Sequence, residues 1–290
     1  MNKITSVLKE YASFHEAEVL RSIEGILQQR KHVNQTKKVY ETILSCIDLT
    51  SLNTVDTEEG IATMVQKVNA FGEHYPELPN VAAICIYPSM VKTVRDCLTE
   101  GVEIASVAAG FPHSQTFIEV KVAEIALAVL DGASEIDIVL SIGKLLDKKY
   151  DELVDELMEL KAACREAHLK VILESGSLKL EELRVASILS IESGANFIKT
   201  STGKQLPAAT TTAAYIMCKL IKEYYEKTGK KVGFKAAGGI VTPSDALDYY
   251  CIVQDVLGEE WLQKDLFRFG ASRLANNILS EILEKPTTAF

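Results

Sequence analysis

The sequence predicts an α/β chain folded as a (β/α)8 TIM barrel with an N-terminal helical extension. From Thr42 onward, short apolar runs alternate with stretches whose apolar residues recur at helical spacing. Strict alternation of strand and helix calls for a parallel sheet covered by helices. Eight such units in about 250 residues match the size and count of a (β/α)8 barrel. A doubly wound open sheet does not need eight units, and it usually carries a glycine-rich first turn. The first turn here, Asp48-Leu-Thr-Ser-Leu-Asn53, has no glycine.

Taken in order, residues 1–40 form the extension and residues 41–290 the barrel. In the extension, Leu8, Tyr11 and Phe14, then Val19, Ile23, Ile26 and Leu27, mark one or two amphipathic helices. They are expected to pack on the N-terminal mouth of the barrel or on a partner subunit. The strand candidates are Thr42–Asp48, Val81–Tyr87, Glu103–Ala109, Glu135–Leu140, Lys170–Ser175, Asn196–Ser201, Lys231–Ala237 and Leu266–Gly270. Between them run helical patterns such as Val154, Leu157 and Met158, or Leu183, Ala186, Ile188 and Leu189. Gly101, Gly132, Gly194 and Gly229 stand where left-handed caps end helices. Ser89 is placed to cap the second helix, and Asp56 with Glu59 forms a capping-box-like start for the first.

A net charge of −9 argues against a general nucleic-acid binder, which would show a basic stripe. It leaves room for an anionic small substrate, because a phosphate site is built locally from backbone N–H groups and one or two cations. The N-terminal stretch is polar, and no apolar run approaches the roughly 20 residues of a membrane span, so neither a membrane nor a secretion signal is expected. The six cysteines form no C-x-x-C pair, which favours reduced thiols in a cytoplasmic protein. The five histidines show no metal-binding spacing, and no metal is expected.

Two lysines sit inside apolar strand-like runs: Lys199 in Ala195-Asn-Phe-Ile-Lys199 and Lys235 in Lys231-Val-Gly-Phe-Lys235. Lysine is seldom fully buried unless paired or employed, and burial lowers its pKa from about 10.4. A neutral amine attacks carbonyls, so such a pair is a Schiff-base candidate. Each lysine taken alone is accounted for by snorkelling to a strand end. Strand alternation puts Glu135 and Asp137 on one face, and Asp48 ends the first candidate strand. Two lysines would then meet three carboxylates in one cavity, either as a rigidifying ion network or as catalytic machinery.

Two segments resemble anion cradles: Thr200-Ser-Thr-Gly-Lys204 after the sixth strand and Ala236-Ala-Gly-Gly-Ile240 after the seventh. The last strand runs into Gly270-Ala-Ser-Arg273 at a helix start. Barrel phosphate sites are often built from the last two loops and a helix N-terminus.

Phe197-Ile-Lys-Thr-Ser-Thr-Gly-Lys204 and Gly233-Phe-Lys-Ala-Ala-Gly-Gly239 resemble the two signature segments of the deoxyribose-phosphate aldolase family. The likeness extends in order to Ile47-Asp-Leu-Thr50, Ala82-Ala-Ile-Cys-Ile-Tyr-Pro88, Gly132-Ala-Ser-Glu-Ile-Asp-Ile-Val139 and Arg268-Phe-Gly-Ala-Ser272. The resemblance implies a class I aldolase that reversibly cleaves 2-deoxy-D-ribose 5-phosphate to D-glyceraldehyde 3-phosphate and acetaldehyde. No cofactor is implied; the partners are small phosphosugar and aldehyde substrates, with a homodimer as the assembly to expect. By motif, Lys199 is the Schiff-base lysine, Lys235 the neighbour that depresses its pKa, and Asp137 the acid/base working through water. Lys204, Gly238, Gly239, Gly270 and Ser272 match phosphate-loop positions. Cys85 matches a cysteine near the site that is not required for catalysis, and Asp48 lies in the first matching segment.

Three departures stand out. Ala236 replaces a customary proline after the second lysine. Val241 stands near the position of a customary arginine, and Arg273, where a second serine is common, is expected to supply the lost charge. The chain ends in Phe290, where some members carry a tail tyrosine that assists proton transfer. The competing readings are a Schiff-base aldolase or transaldolase for another phosphosugar, and a non-catalytic phosphometabolite-binding barrel.

Overall fold

The computed structural model describes residues 3–99 and 101–290. Eight parallel strands pair in chain order, and the eighth returns to the first, closing the barrel. They are β1 (Ile47–Thr50), β2 (Ala83–Ile86), β3 (Glu103–Ala108), β4 (Glu135–Val139), β5 (His168–Ile172), β6 (Phe197–Lys199), β7 (Gly233–Ala237) and β8 (Phe267–Ala271). All eight strand candidates are present; most strands are shorter than the apolar runs suggested, while β1 and β8 run past the C-terminal bound of their candidates and β5 starts two residues before its own.

Twelve helices are described: α1 (Lys3–Leu8), α2 (Glu16–Arg30), α3 (Lys37–Ser45), α4 (Glu58–His74), α5 (Val91–Cys97), α6 (Ile118–Asp131), α7 (Ile142–Leu146), α8 (Tyr150–Ala163), α9 (Leu180–Glu192), α10 (Thr211–Thr228), α11 (Pro243–Val256) and α12 (Leu274–Leu283). Outward residues of the strands, such as Ile84, Ile136, Val171, Ile198 and Phe234, are buried beneath this helical layer. Among the described residues, no helix is long and apolar enough to cross a membrane.

Several local expectations are corrected. Thr42–Ser45 is the last turn of α3 rather than the start of β1. Val39, Tyr40, Ile43 and Leu44 are buried at helical spacing, and Thr36 caps the helix by accepting from the Val39 N–H, so helical periodicity wins over the β-branched content. Thr57, not Asp56, caps α4, accepting from the Gly60 N–H. Asp56 instead folds back on the loop and accepts from the Asn53 N–H and the Ser51 hydroxyl. Ser89 lies inside a short 3-10 turn, Pro88–Met90, that leads into α5. Helix α5 ends at an extended Leu98, so Gly101 does not cap it. Gly132 and Gly229 do cap α6 and α10 with positive φ, and Gly194, also at positive φ, follows the end of α9.

In the extension, α2 lies across α10 and α11, on the outer helical layer rather than over the N-terminal mouth. Arg184 of α9 fastens the chain ahead of α2 by donating to the carbonyls of Leu8, Tyr11 and Ala12. The guanidinium, with several N–H donors in a fixed fork, suits three carbonyls of one bend.

Candidate active site

Parallel register sets the central constellation. Lys199 closes β6 directly opposite Lys235 of β7, and Lys235 stands opposite Arg268 of β8. On the other side of the barrel, Asp137 of β4 is paired in register with Lys170 of β5. These residues point inward from strands around the ring and meet near its axis. Two glycines make the room. A Cβ on Gly233 would sit 2.2 Å from the Phe197 ring, and one on Gly270 would sit 3.2 Å from Cε of Lys235.

Lys199 Nζ donates to Asp137 Oδ2 at 2.7 Å, and Lys235 Nζ donates to the same oxygen at 2.8 Å. Lys235 also donates to Asp48 Oδ2. Lys199 is 3% exposed and Lys235 fully buried. Burial holds the Lys199 amine below the ordinary lysine range, with the charge of Lys235 pushing the same way and Asp137 opposing both. For Lys235 the balance reverses: burial disfavours its charge, but Asp137 and Asp48 outweigh burial and hold the ammonium above the ordinary range. Burial also works against the charge of Asp137, yet Lys199, Lys235 and Lys170 keep its carboxyl well below the usual range. Its second oxygen, Oδ1, accepts no hydrogen bond among the described residues. The site therefore holds a lysine biased toward neutrality, a fixed ammonium and a carboxylate with one oxygen that accepts no hydrogen bond among the described residues.

Beneath them lies a charged layer that the sequence reading undercounted. Lys170 Nζ donates to Glu135 Oε2 and, at 3.3 Å, to Asp48 Oδ2, and lies 3.6 Å from Asp137 Oδ1. Arg268 donates to Asp48 Oδ1 at 2.6 Å and to Glu135 Oε1 at 2.8 Å. The expected two lysines against three carboxylates become four cations against three carboxylates. The signal was strand parity: Lys170 has the inward parity of Ile172, which pairs with Lys199 in register, and Arg268 that of Gly270.

Above Lys199 opens a cavity of about 400 Å³ whose wall includes Lys204, Gly238, Gly239, Gly270, Ser272 and Arg273. Gly238 and Gly239 have φ of +90° and +81°. A Cβ on Gly238 would sit 2.7 Å from that of Ala208, so this turn needs glycine on both conformational and steric grounds. Glu174 anchors the loop after β6 by accepting from the N–H and hydroxyl of Thr202, and Lys204 donates to the Leu52 carbonyl at the cavity edge. Val241 and Arg273 both face the cavity, as does Phe290, whose ring stacks on Phe71 at 4.8 Å. Its main chain is pinned to Asn276.

Thus Lys199, Lys235 and Asp137 come together in direct contact, and the five predicted phosphate-loop residues share one cavity wall with Arg273. Asp48 and Cys85 do not line that cavity. Both are fully buried, Asp48 in the charged layer and Cys85 in an apolar patch with Ala83, Ala105 and Val107. Burial pushes the Cys85 thiol up, away from nucleophilic behaviour.

Known proteins share this arrangement of chain. The family profile described as DeoC/LacD family aldolase matches residues 42–255. Deoxyribose-phosphate aldolases of Bos taurus and Homo sapiens are each 40% identical over 287 residues, covering 94% of this chain and 90% of theirs. That of Mus musculus is 38% identical over 295 residues, covering 95% and 91%. Among solved structures, an aldolase called QR15 superimposes with a TM-score of 0.67 at 28% identity over 83% of this chain and 98% of its own. A tetrameric deoxyribose phosphate aldolase from Aeropyrum pernix gives a TM-score of 0.68 at 24% identity, covering 88% and 96%, a likeness of fold. With the profile spanning most of the barrel and relatives aligned along nearly the whole length, the chain belongs to the DeoC/LacD family of aldolases.

Proposed function

We propose that this protein is a class I aldolase, a carbon–carbon lyase that reversibly cleaves 2-deoxy-D-ribose 5-phosphate to D-glyceraldehyde 3-phosphate and acetaldehyde. The observation that carries this reading is Lys199, on the floor of a cavity walled by Lys204, Gly238, Gly239 and Arg273, sharing one oxygen of Asp137 with Lys235.

The neutral amine of Lys199 attacks C1 of the open-chain aldehyde, and the resulting carbinolamine loses water to give an iminium. The C3 hydroxyl gives up its proton, the C2–C3 bond breaks, and its electron pair passes into the enamine. Glyceraldehyde 3-phosphate departs with C3 as its new carbonyl. A proton returned to C2 regenerates the iminium, and water releases acetaldehyde and the free amine. Asp137, whose Oδ1 accepts no hydrogen bond among the described residues, handles protons through water, while Lys235 remains charged. The glycine turn and the start of α12 offer N–H groups, and Lys204 and Arg273 positive charge, to a phosphate.

The test is incubation with 2-deoxyribose 5-phosphate and cyanoborohydride, followed by peptide mapping. A C2 adduct on Lys199 is the expected result; an adduct elsewhere, or none on folded protein, would refute this assignment. The reading further takes residues 1–40 as an extension of a barrel formed by residues 41–290, and the active species as a cytoplasmic homodimer. The six unpaired cysteines support a reducing compartment. Light scattering of the purified chain tests the assembly.

A further inference from the structure

The charged layer beneath Lys199 has an arithmetic that its packing alone does not require. Asp48, Glu135 and Asp137 are matched one for one by Lys170, Lys235 and Arg268, all six being buried. Lys199 is the seventh group, the one cation without a carboxylate of its own, since Asp137 Oδ2 is shared with Lys235. A buried cluster carrying a net charge is costly, and it sheds that cost by losing or gaining a proton at its least stabilised member. The cluster is neutral only when the Lys199 amine is neutral.

We propose that Lys170, Arg268 and Glu135 are positioning residues whose fixed charges, together with Asp48, set the pH at which Lys199 becomes an uncharged nucleophile. This rests on Lys199 being the Schiff-base lysine. The amine itself meets Asp137 of β4, with Lys235 of β7 and Cys85 of β2 close by, and Lys170 of β5, Arg268 of β8, Asp48 of β1 and Glu135 of β4 act on it through the linked ion pairs below. Lys204 and Arg273 share the cavity above. Lys170 is the key member, because it contacts all three carboxylates at once. Removing it would leave three carboxylates against Lys235, Arg268 and Lys199, a set balanced only with Lys199 protonated. Removing the charge of Glu135 does the reverse.

The experiment is the pH profile of kcat/KM for 2-deoxyribose 5-phosphate cleavage, whose acid limb reports protonation of the free enzyme. Lys170→Met should move that limb up by roughly one pH unit, and Glu135→Gln should move it down by a similar amount. The double variant should bring it back near the wild-type position. Arg268→Lys keeps the charge and loses the fork, so its limb should stay in place even if its melting temperature falls. General damage to the barrel lowers the rate at every pH and cannot produce opposite shifts that cancel. Limbs that stay still, or move the same way in both single variants, would overturn the proposal. If one single variant does not fold, the other, compared with the double variant, still decides the sign. Cyanoborohydride trapping separates the two readings: an adduct on Lys199 with unshifted limbs refutes only the charge-setting role, whereas no adduct on Lys199 in the wild-type protein refutes the nucleophile itself.

Discussion

Two buried lysines in this molecule make an instructive pair. Lys121, on α6 in the helical layer, gives all three of its N–H groups to fixed partners: Glu156 Oε1 and Ser114 Oγ at 2.7 Å and Ser141 Oγ at 3.0 Å. The other oxygen of Glu156 meets Lys144 at 2.9 Å. Lys199, inside the barrel, has one hydrogen-bond partner among the described residues, Asp137 Oδ2, and that oxygen is already engaged by Lys235. Burial is nearly the same, with Lys121 2% and Lys199 3% exposed. What differs is the supply of partners. A lysine whose donors are all taken ties two loops together, whereas one that competes for its only carboxylate is free to lose a proton and do chemistry.

The largest effect that would test this contrast is on Lys199. Lys199→Met should abolish cleavage and adduct formation together. Because the substitution removes the surplus cation, the remaining six charges balance and the melting temperature should stay at or above that of the wild type. A marked fall in melting temperature would show that Lys199 is an architectural cation like Lys121. Next in size is Lys235→Leu. Without the competing ammonium, Asp137 pairs with Lys199 alone and holds it protonated, so kcat/KM at neutral pH should fall by about 10²–10⁴-fold. The acid limb should also move up. A near-normal rate at neutral pH would remove Lys235 from the mechanism.

The sequence made the upper part of this site visible and hid the lower part, for a physical reason. Lys199 and Lys235 stood out because each interrupts an apolar run and is followed by small residues that a turn requires. Asp137 was legible from alternation with Ile136 and Ile138. Lys170 opens its strand candidate, where a charged residue ordinarily faces solvent, and Arg268 sits between two phenylalanines without a neighbouring anion in sequence. Their partners, Asp48 and Glu135, lie more than a hundred residues away from Arg268, and only barrel closure brings them together. The fold was more legible than its joints. Eight strands followed from periodicity, but the α3–β1 boundary did not, because Thr42, Ile43 and Leu44 suit either element and the cap at Thr36 decides.

A smaller effect, on stability rather than rate, is expected at the other lysine. Lys121→Met leaves the Glu156 carboxylate buried with only Ser141 and the half-exposed Lys144 beside it. Breaking such a pair costs about 3–5 kcal/mol, and the help from Lys144 puts this case near the lower end. Activity of the folded variant should be retained. The pH dependence has a definite sign. Burial works against the charge of Glu156, but hydrogen bonds from Lys121, Ser141 and Lys144 outweigh it and hold the carboxyl below its ordinary value of 4.5. Its contribution is therefore present in full above that value and disappears as the pH falls through the lower, folded-state value. The stability gap between wild type and Lys121→Met should be widest near neutrality and narrow below about pH 4. Denaturant titrations at several pH values measure it; a gap independent of pH would mean that packing of the lysine stem, not its charge, holds these loops.

The smallest expected effect concerns substrate rather than fold, at a cation the buried lysines never meet. Arg273 and Val241 line the same cavity, and Arg273 precedes the first turn of α12. If the guanidinium holds a phosphate, Arg273→Ser should raise KM for 2-deoxyribose 5-phosphate by about tenfold, worth roughly 1.4 kcal/mol, while kcat changes little. Turnover of unphosphorylated 2-deoxyribose should be unaffected, because that sugar has no group for the arginine to hold. Adding Val241→Arg to the serine variant supplies a cation from the neighbouring loop after β7 and should recover part of the lost affinity. Equal losses for both sugars would mean that Arg273 shapes the helix start instead of binding the substrate. The phosphate would then have to be held by the glycine turn and Lys204 without it.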